Sequence, residues 1–493
     1  MEYEVVIGLE VHSQLLTESK MFCACSAAYQ DAAPNTTVCA VCMGLPGALP
    51  VMNRKAVDYV IRTGLALGCN ISDFTKFDRK NYPYPDLMKG YQISQYDQPI
   101  AYGGRLDIET EIGIKAIGVT RVHLEEDVAK LFHRADEFGD NYSLLDINRA
   151  GVPLMEIVSE PDMRSPDEAR SYLTQLQSIL RYIGVSSANM EEGNFRCDAN
   201  ISVRPAGSSE LGAKVEIKNM NSFRAVHRAL QHEAERQVRA VSEGEEIVQE
   251  TRGWDESAAL TFTQRTKEYA HDYRYFPEPD LPPLVIEQSW VQNVLSVLPE
   301  LPAPRKQRFM LEYGLSEYDA NLLTIVKGTA DYFESVVDLS EVSGDALEQL
   351  AKQVSNWMLV ELGRLLNETG SDISDIKISP RGFVDLLALV SEGTLSTSMA
   401  KTVFEEMFAS GKPPAEIAEE QGMVQISDVD ALGSAVDEAI ASNPKPVSEY
   451  LEGKEQAARF LVGQVMRITR GKANPQLATQ LLKERLDELR QSA

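Results

Sequence analysis

Four of the six cysteines stand in a spacing that suits a metal. Cys23 and Cys25 form a C-x-C pair and Cys39 and Cys42 a C-x-x-C pair, with 13 residues between them. Two short knuckles joined by a loop can supply the four corners of a tetrahedral thiolate cage, because each pair delivers two adjacent corners. Pro34-Asn35-Thr36 in the loop and Gly44-Leu45-Pro46-Gly47 after the second knuckle suit tight turns. Structural Zn²⁺ is the expected occupant; small core cysteines or a redox pair are the alternatives that spacing leaves open. Cys69 and Cys197 are isolated and read as packing residues.

A second group of residues lies on strand-like segments. In Val5–His12 the alternation puts Ile7, Leu9 and Val11 on one face and Gly8, Glu10 and His12 on the other. In 119–127, Val122 and Leu124 oppose Arg121, His123, Glu125 and Asp127. In 196–204, Ala199, Ile201 and Val203 oppose Asp198, Asn200 and Ser202; in 214–219, Val215 and Ile217 oppose Glu216 and Lys218. Each strand therefore turns a carboxylate away from its apolar side. A solvated sheet face explains any one of them. Four together, mixed with His and Asn, suit a divalent cation held by oxygen and imidazole, Mg²⁺ or Mn²⁺ rather than Zn²⁺. There is no G-x-x-x-x-G-K-[ST], no strand-linked G-x-G-x-x-G and no G-x-S-x-G elbow.

These residues need a framework, and the chain is long enough to supply several domains. It has 493 residues, 43% hydrophobic and 25% charged, which excludes disordered and fibrous classes. Seven of the 23 prolines fall between Pro277 and Pro304, a stretch that breaks regular structure. Strand-like segments precede it; helical periodicity follows from Arg305 to about Phe408, and Gly411-Lys412-Pro413-Pro414 marks a second break. The final helix is expected to use Asn474 as N-cap and Pro475 as its first residue, with Leu482, Leu486 and Leu489 along one face. The expected fold is α+β: a β-rich cradle domain over 1–295, an all-α domain over 296–410 and a small helical tail over 411–493. Neither a secretory or transit leader nor an apolar run of about 18 residues is visible, so a cytoplasmic location is expected.

Net charge is −26, from 48 Lys and Arg against 74 Asp and Glu, which globally disfavours a nucleic-acid partner. Locally the balance reverses. Residues 401–450 carry net −7, but residues 451–493 carry net +3 and include the basic run Arg467-Ile468-Thr469-Arg470-Gly471-Lys472.

Long blocks of the chain resemble the GatB family, one of the component proteins of the glutamyl/aspartyl-tRNA amidotransferases. They are EVVIGLEVHSQL (4–15), YPDLMKGYQISQYDQPI (84–100), HLEEDVAK (123–130), LDINRAGVPLMEIVSEPD (145–162), MEEGNFRCDANISVR (190–204), VEIKNMNSFR (215–224), HDYRYFPEPDLPPL (271–284) and FLVGQVMRITRGKANPQLATQLL (460–482). The chain departs from the family pattern at Ala40 and Met88, where Pro is usual, and at Ile147, where an aromatic residue is usual; none is a candidate ligand.

The resemblance implies an enzyme component that uses ATP to phosphorylate the side-chain carboxylate of Glu-tRNA(Gln) or Asp-tRNA(Asn). Ammonia from an amidase-type A subunit, the glutaminase, then displaces the phosphate, and a small C subunit completes a heterotrimer. Carried over residue by residue, Glu10, His12, Glu125, Asp198 and Glu216 form the ATP and Mg²⁺ site. Glu10, His12 and Glu125 are the catalytic candidates, and strand phase favours Glu125 over Glu126. Lys89, Asn148, Arg149, Lys218 and Asn219 are candidate contacts to phosphate or the aminoacyl end. The four cysteines match the family's zinc knuckle, and the tail resembles a YqeY-like module in which Arg467, Arg470 and Lys472 meet tRNA by shape. The competing readings are a non-catalytic tRNA-binding scaffold with a structural zinc and a stand-alone metal-dependent hydrolase.

Overall fold

A computed structural model describes residues 2–136, 138–266, 273–340, 342–423, 429–451, 454–469, 473 and 475–492. The fold is α+β, in two compact units, Met1–Pro302 and Ala303–Ala493.

The first unit begins with β1 (Tyr3–Gln14), α1 (Arg54–Ala66) and the short strands β2 (Asn70–Ile71), β3 (Phe74–Thr75), β4 (Asp78–Asn81) and β5 (Tyr91–Ser94). Two hairpins follow, β6 (Ala101–Thr110) with β7 (Gly113–Glu126) and β8 (Lys130–Ala135) with β9 (Asn141–Asp146), then β10 (Pro153–Ser159) and α2 (Pro166–Tyr182). The remainder is β11 (Phe195–Pro205), β12 (Val215–Lys218), α3 (Phe223–Ser242), β13 (Glu250–Asp255), β14 (Leu260–Thr266), β15 (Phe276–Pro277), β16 (Leu284–Val285) and α4 (Gln288–Ser296). One sheet runs in the order β14-β13-β12-β11-β1-β10-β7-β6-β2. All its pairings are antiparallel except β12 with β13. A smaller sheet, β15-β4-β5, stands apart from it.

Period-two alternation gives the large sheet two unlike faces. Ile7, Leu9 and Val11 of β1, Val122 and Leu124 of β7, Ile157 of β10, Ala199 and Ile201 of β11, and Val215 and Ile217 of β12 are all buried in one core. Helices α1, α2 and α3 cover that side, packing on β6 and β7, on β6, and on β11 and β14 respectively. Each large aliphatic side chain buried there contributes about 1.5–3 kcal/mol, so a one-residue slip of any strand is strongly disfavoured. Helix ends are fixed locally. Ser165 caps α2 by accepting from the Glu168 amide, with Pro166 following, and Ser222 caps α3 by accepting from the Ala225 amide. The opposite face is thereby committed to the polar residues.

α4 belongs to this unit although it follows most of the proline-dense stretch. Ile286, Val291 and Val294 enter its core, and the Trp290 indole donates to Asp58 of α1 at 2.5 Å.

The second unit is helical among its described residues and holds two apolar clusters. One runs from Phe309 to Ala418 and includes Ile417 and Ala418 of the helix Pro414–Glu420; the other runs from Leu432 to Leu486. The last helix, Pro475–Ser492, buries Leu482 and Leu486 and leaves Leu489 41% exposed. Its expected cap, Asn474, lies outside the described residues, as do Arg470 and Lys472. Arg467 is exposed near the end of the helix Gln456–Ile468. No helix among the described residues is long and apolar enough to cross a membrane.

Candidate functional site

Strand register assembles the polar face row by row. His123 of β7 lies opposite Glu156 of β10, which lies opposite His12 of β1, which lies opposite Arg196 of β11. In the adjacent row Glu10 faces Asp198, and further out Asn200 faces Glu216 and Glu216 faces Thr251. Directly opposed residues share a face, so carboxylates and imidazoles from five strands line one side of the sheet. His12 Nε2 is 3.2 Å from Glu156 Oε2, 3.4 Å from Glu125 Oε1 and 4.0 Å from Glu10 Oε1; His123 Nε2 is 3.6 Å from Glu156. The Ser94 hydroxyl donates to Glu125 at 3.3 Å. A cavity of about 290 Å³ opens over the group, lined among others by Glu10, Glu156, His123, Arg121, Lys218 and Lys80.

Crowded acids shift one another. The charge of Glu156, then burial, lifts the Glu10 carboxyl to about 7, with His12 and Lys218 opposing. Burial disfavours charge on His12, but its hydrogen bond with Glu156 and the charges of Glu156, Glu125 and Glu10 raise it to about 9. Burial raises Glu125, and it depresses His123 to about 4. Burial also opposes ionisation of Glu156, yet His123 and His12 hold that carboxyl well below the usual range. The imidazolium of His12 thus serves as the group's internal counter-cation.

The donor set fits a hard divalent ion. Glu10, His12 and Glu156 form one group with mutual ligand distances within 4.8 Å, and His123, Glu125 and Glu156 form another, so Glu156 is common to both. Among the described residues His123 Nδ1 is buried without a hydrogen-bond partner, a sign of unfinished coordination or solvation in this group.

The expected residues divide in the structure. Glu10, His12 and Glu125 come together. Asp198 and Glu216 are neighbours whose carboxylates bind the Lys218 ammonium at 2.5 and 3.2 Å, and Thr251 donates to Glu216 at 2.8 Å. Glu126 points elsewhere, pairing with Lys89 and accepting from the Ile93 amide at 3.0 Å. Asn148 is buried; it accepts from the Thr37 amide at 2.9 Å and donates to Ala33 O at 2.8 Å. Arg149 donates to the carbonyls of Val128 and Ala129 at 2.8 and 2.9 Å. Asn219 is exposed at φ +65°, just past β12. Glu156 and Lys80 join the site although strand pattern did not single them out. A single acid inside the apolar run Val152–Val158 was the available signal for Glu156.

The cysteines gather as their spacing suggests. All four Sγ atoms lie within 4.8 Å of one another, with Cys39 and Cys42 3.9 Å apart. A tetrahedral Zn²⁺ with Zn–S bonds of about 2.3 Å requires S–S edges of about 3.8 Å, so the group fits that ion. The Cys39 amide donates to Cys42 Sγ at 3.0 Å. A hydrogen bond from Cys23, that amide and the nearby Lys20 charge lower the Cys42 thiol to about 4 against the effect of burial. The Lys20 side chain is buried and donates to Thr37 O at 2.8 Å.

An α+β unit with an acid–imidazole cavity and a thiolate knuckle has known counterparts. Residues 5–292 match the family described as the GatB/GatE catalytic domain, and residues 331–486 match the GatB domain. The chain belongs to the GatB family. It is 56% identical to the GatB component of the aspartyl/glutamyl-tRNA(Asn/Gln) amidotransferase of Dehalococcoides mccartyi over 99% of each chain. It is 53% identical to the corresponding protein of Carboxydothermus hydrogenoformans and 54% identical to that of Thermoanaerobacter pseudethanolicus, in both cases over 99% of this chain and 100% of the relative.

Proposed function

We propose that this chain is the GatB component of a glutamine-hydrolysing tRNA amidotransferase and that its cavity activates the side-chain carboxylate of Glu-tRNA(Gln) or Asp-tRNA(Asn). A carboxylate oxygen attacks the γ-phosphorus of ATP, the bond to the β,γ-bridging oxygen breaks, and ADP leaves with the electron pair. Ammonia then attacks the acyl carbon and phosphate departs, a far better leaving group than oxide. A bound Mg²⁺ would supply charge neutralisation for the phosphoryl group. Glu10, His12, Glu125 and Glu156 would hold it. Asp198 and Glu216 can join them only as Lys218 turns to the phosphates, where Asn219 neighbours it. Lys89, Asn148 and Arg149 act one step back, by fixing the loops around the site. Glu125, beside His12, is placed to take a proton from the nitrogen once ammonia has bonded to the acyl carbon and once Glu125's own charge is restored.

The observation that carries this reading is Glu156 shared between His12 and His123 beneath a cavity whose wall bears Lys80, Arg121 and Lys218. The proposed partners are an amidase-type A subunit that acts as glutaminase, a small C subunit and misacylated tRNA, all in the cytoplasm, with Zn²⁺ on Cys23, Cys25, Cys39 and Cys42. The tail over 411–493, with Arg467, Arg470 and Lys472, is the proposed tRNA contact; it follows a helical domain over 296–410 and the cradle over 1–295.

The test is to co-purify the complex and assay amidation of Glu-tRNA and Asp-tRNA with ATP and glutamine. Glu125→Ala should abolish amide formation while glutamine hydrolysis continues. Amidation at the unmodified rate would favour the scaffold reading.

A further inference from the structure

The stretch Lys76–Lys80 carries three cations, and two of them are committed. Lys76 binds Asp78 and Asp97 at 2.9 and 2.8 Å, and Arg79 binds Glu278 and Asp280 at 2.7 and 3.1 Å. Lys80 is different. It sits on β4, pairs through its backbone with Gln92 of β5, and turns its side chain into the cavity that Glu10 and Glu156 line from the large sheet. Among the described residues its ammonium has no carboxylate within ion-pair distance and no hydrogen-bond acceptor. It has rings instead: the Tyr273 centroid lies 5.0 Å away and that of Tyr82 6.0 Å away.

Those rings support one another. Tyr82 and Tyr273 meet edge to face at 5.8 Å, Tyr273 meets Tyr275 at 6.1 Å, and Tyr275 stacks on Tyr96 at 4.3 Å. The other inward cations of the cavity are neutralised, Lys218 by Asp198 and Glu216 and Arg121 by Glu156 at 3.5 Å, while Lys214 is exposed to solvent. Aromatic faces compensate a desolvated ammonium only in part. Among the described residues no carboxylate reaches the ammonium directly, although the charges of Glu125 and Glu156 act on it across the cavity, so it is left to face an anion brought in from outside.

Resting on the function proposed above, we infer that Lys80 is a further catalytic residue, whose ammonium binds the non-bridging oxygens of the γ-phosphoryl group during its transfer to the substrate carboxylate. The group would then lie between two charge-stabilising walls, the carboxylate–imidazole cluster that would hold the divalent ion and the Lys80 ammonium of the small sheet. The tyrosine box fixes the ammonium and strips its water, so its charge acts on the transferred group at short range. ADP lacks that group and gains nothing from Lys80.

The experiment uses the assembled complex carrying Lys80→Ala, with Lys80→Met as the variant that preserves side-chain volume. Zinc content and thermal midpoint establish folding; where the alanine variant fails them, the methionine variant is read. The expected result is a fall in single-turnover amidation of about 100-fold or more at saturating ATP, with the affinity for Mg-ADP changed less than about twofold. Ethylamine should restore at least tenfold of the loss in Lys80→Ala and none of it in Lys80→Met. Amidation within threefold of the unmodified complex, or equal loss of ADP and ATP affinity, would overturn the assignment. An unmodified complex that makes no amide with ATP would instead overturn the proposed function itself.

Discussion

The cysteine knuckle and the acid–imidazole cavity both gather metal-type side chains in the same unit, but they differ in how their charge is closed. Around the knuckle four sulfurs lie within 4.8 Å of one another, a backbone amide points at Cys42, and the Lys20 side chain is tied to a carbonyl; four protein thiolates fill all four corners of a tetrahedral zinc site. The cavity is open and unbalanced. Glu156 raises the carboxyls of Glu10 and Glu125 while its own is held low, the histidines are pushed in opposite directions, and among the described residues His123 Nδ1 finds no hydrogen-bond partner. A closed set of identical ligands stabilises a fold, whereas displaced pKa values around open space mark a place that exchanges ions and protons.

The largest expected effect lies at the knuckle. Cys39→Ser should remove about one zinc per chain and cost at least about 3 kcal/mol of stability, read by metal analysis and thermal unfolding. Retained zinc with an unchanged midpoint would break the distinction from the structural side. His12→Ala should do the reverse: amidation falls about 10²–10³-fold while zinc content and thermal midpoint stay near those of the unmodified protein. A collapse in stability there would mean that the cavity, too, is structural.

A subtler contrast is pH. Divalent ions need deprotonated ligands, so Mn²⁺ affinity at the cavity should rise with pH. Between about 7 and 9 His12 must shed a proton, giving at least about tenfold per pH unit; below about 7 Glu10 must shed one as well and the slope steepens, and Glu125, also raised by burial, adds to it. Flat affinity from pH 6 to 9 would remove His12 and Glu10 from the ligand set. The smallest effect separates two lysines. Lys218→Ala should raise the KM for ATP about tenfold, because it removes a cavity cation, whereas Lys89→Ala should leave it within about twofold. The Lys89 change should instead cost about 1–2 kcal/mol by leaving Glu126 buried without its cation.

The sheet's polar face was legible in the sequence because β1, β7, β11 and β12 alternate cleanly, and parity alone separates Glu125 from Glu126 and Glu10 from Leu9. β10 hid its contribution: in Pro153–Ser159 nearly every residue is buried on both faces, so Glu156 sits in an apolar run with no alternation to flag it. Lys80 was obscured for another reason. It lies in a four-residue strand of a separate sheet, and only tertiary placement brings that sheet over the cavity. Asn148 and Arg149 illustrate the converse: polar residues in a family-like block, spent on backbone groups that the loops leave open. Global charge was the poorest guide, since −26 conceals a tail of opposite sign.

The most direct measurement follows oxygen. With substrate tRNA in which both side-chain carboxylate oxygens are ¹⁸O, attack of one on ATP and release of phosphate by ammonia must leave one labelled oxygen in each inorganic phosphate formed with the amide. The assembled complex is predicted to transfer one ¹⁸O per amide, and His12→Ala to release labelled phosphate about 10²–10³-fold more slowly. Amide formed without label in the phosphate would contradict carboxylate phosphorylation in this cavity.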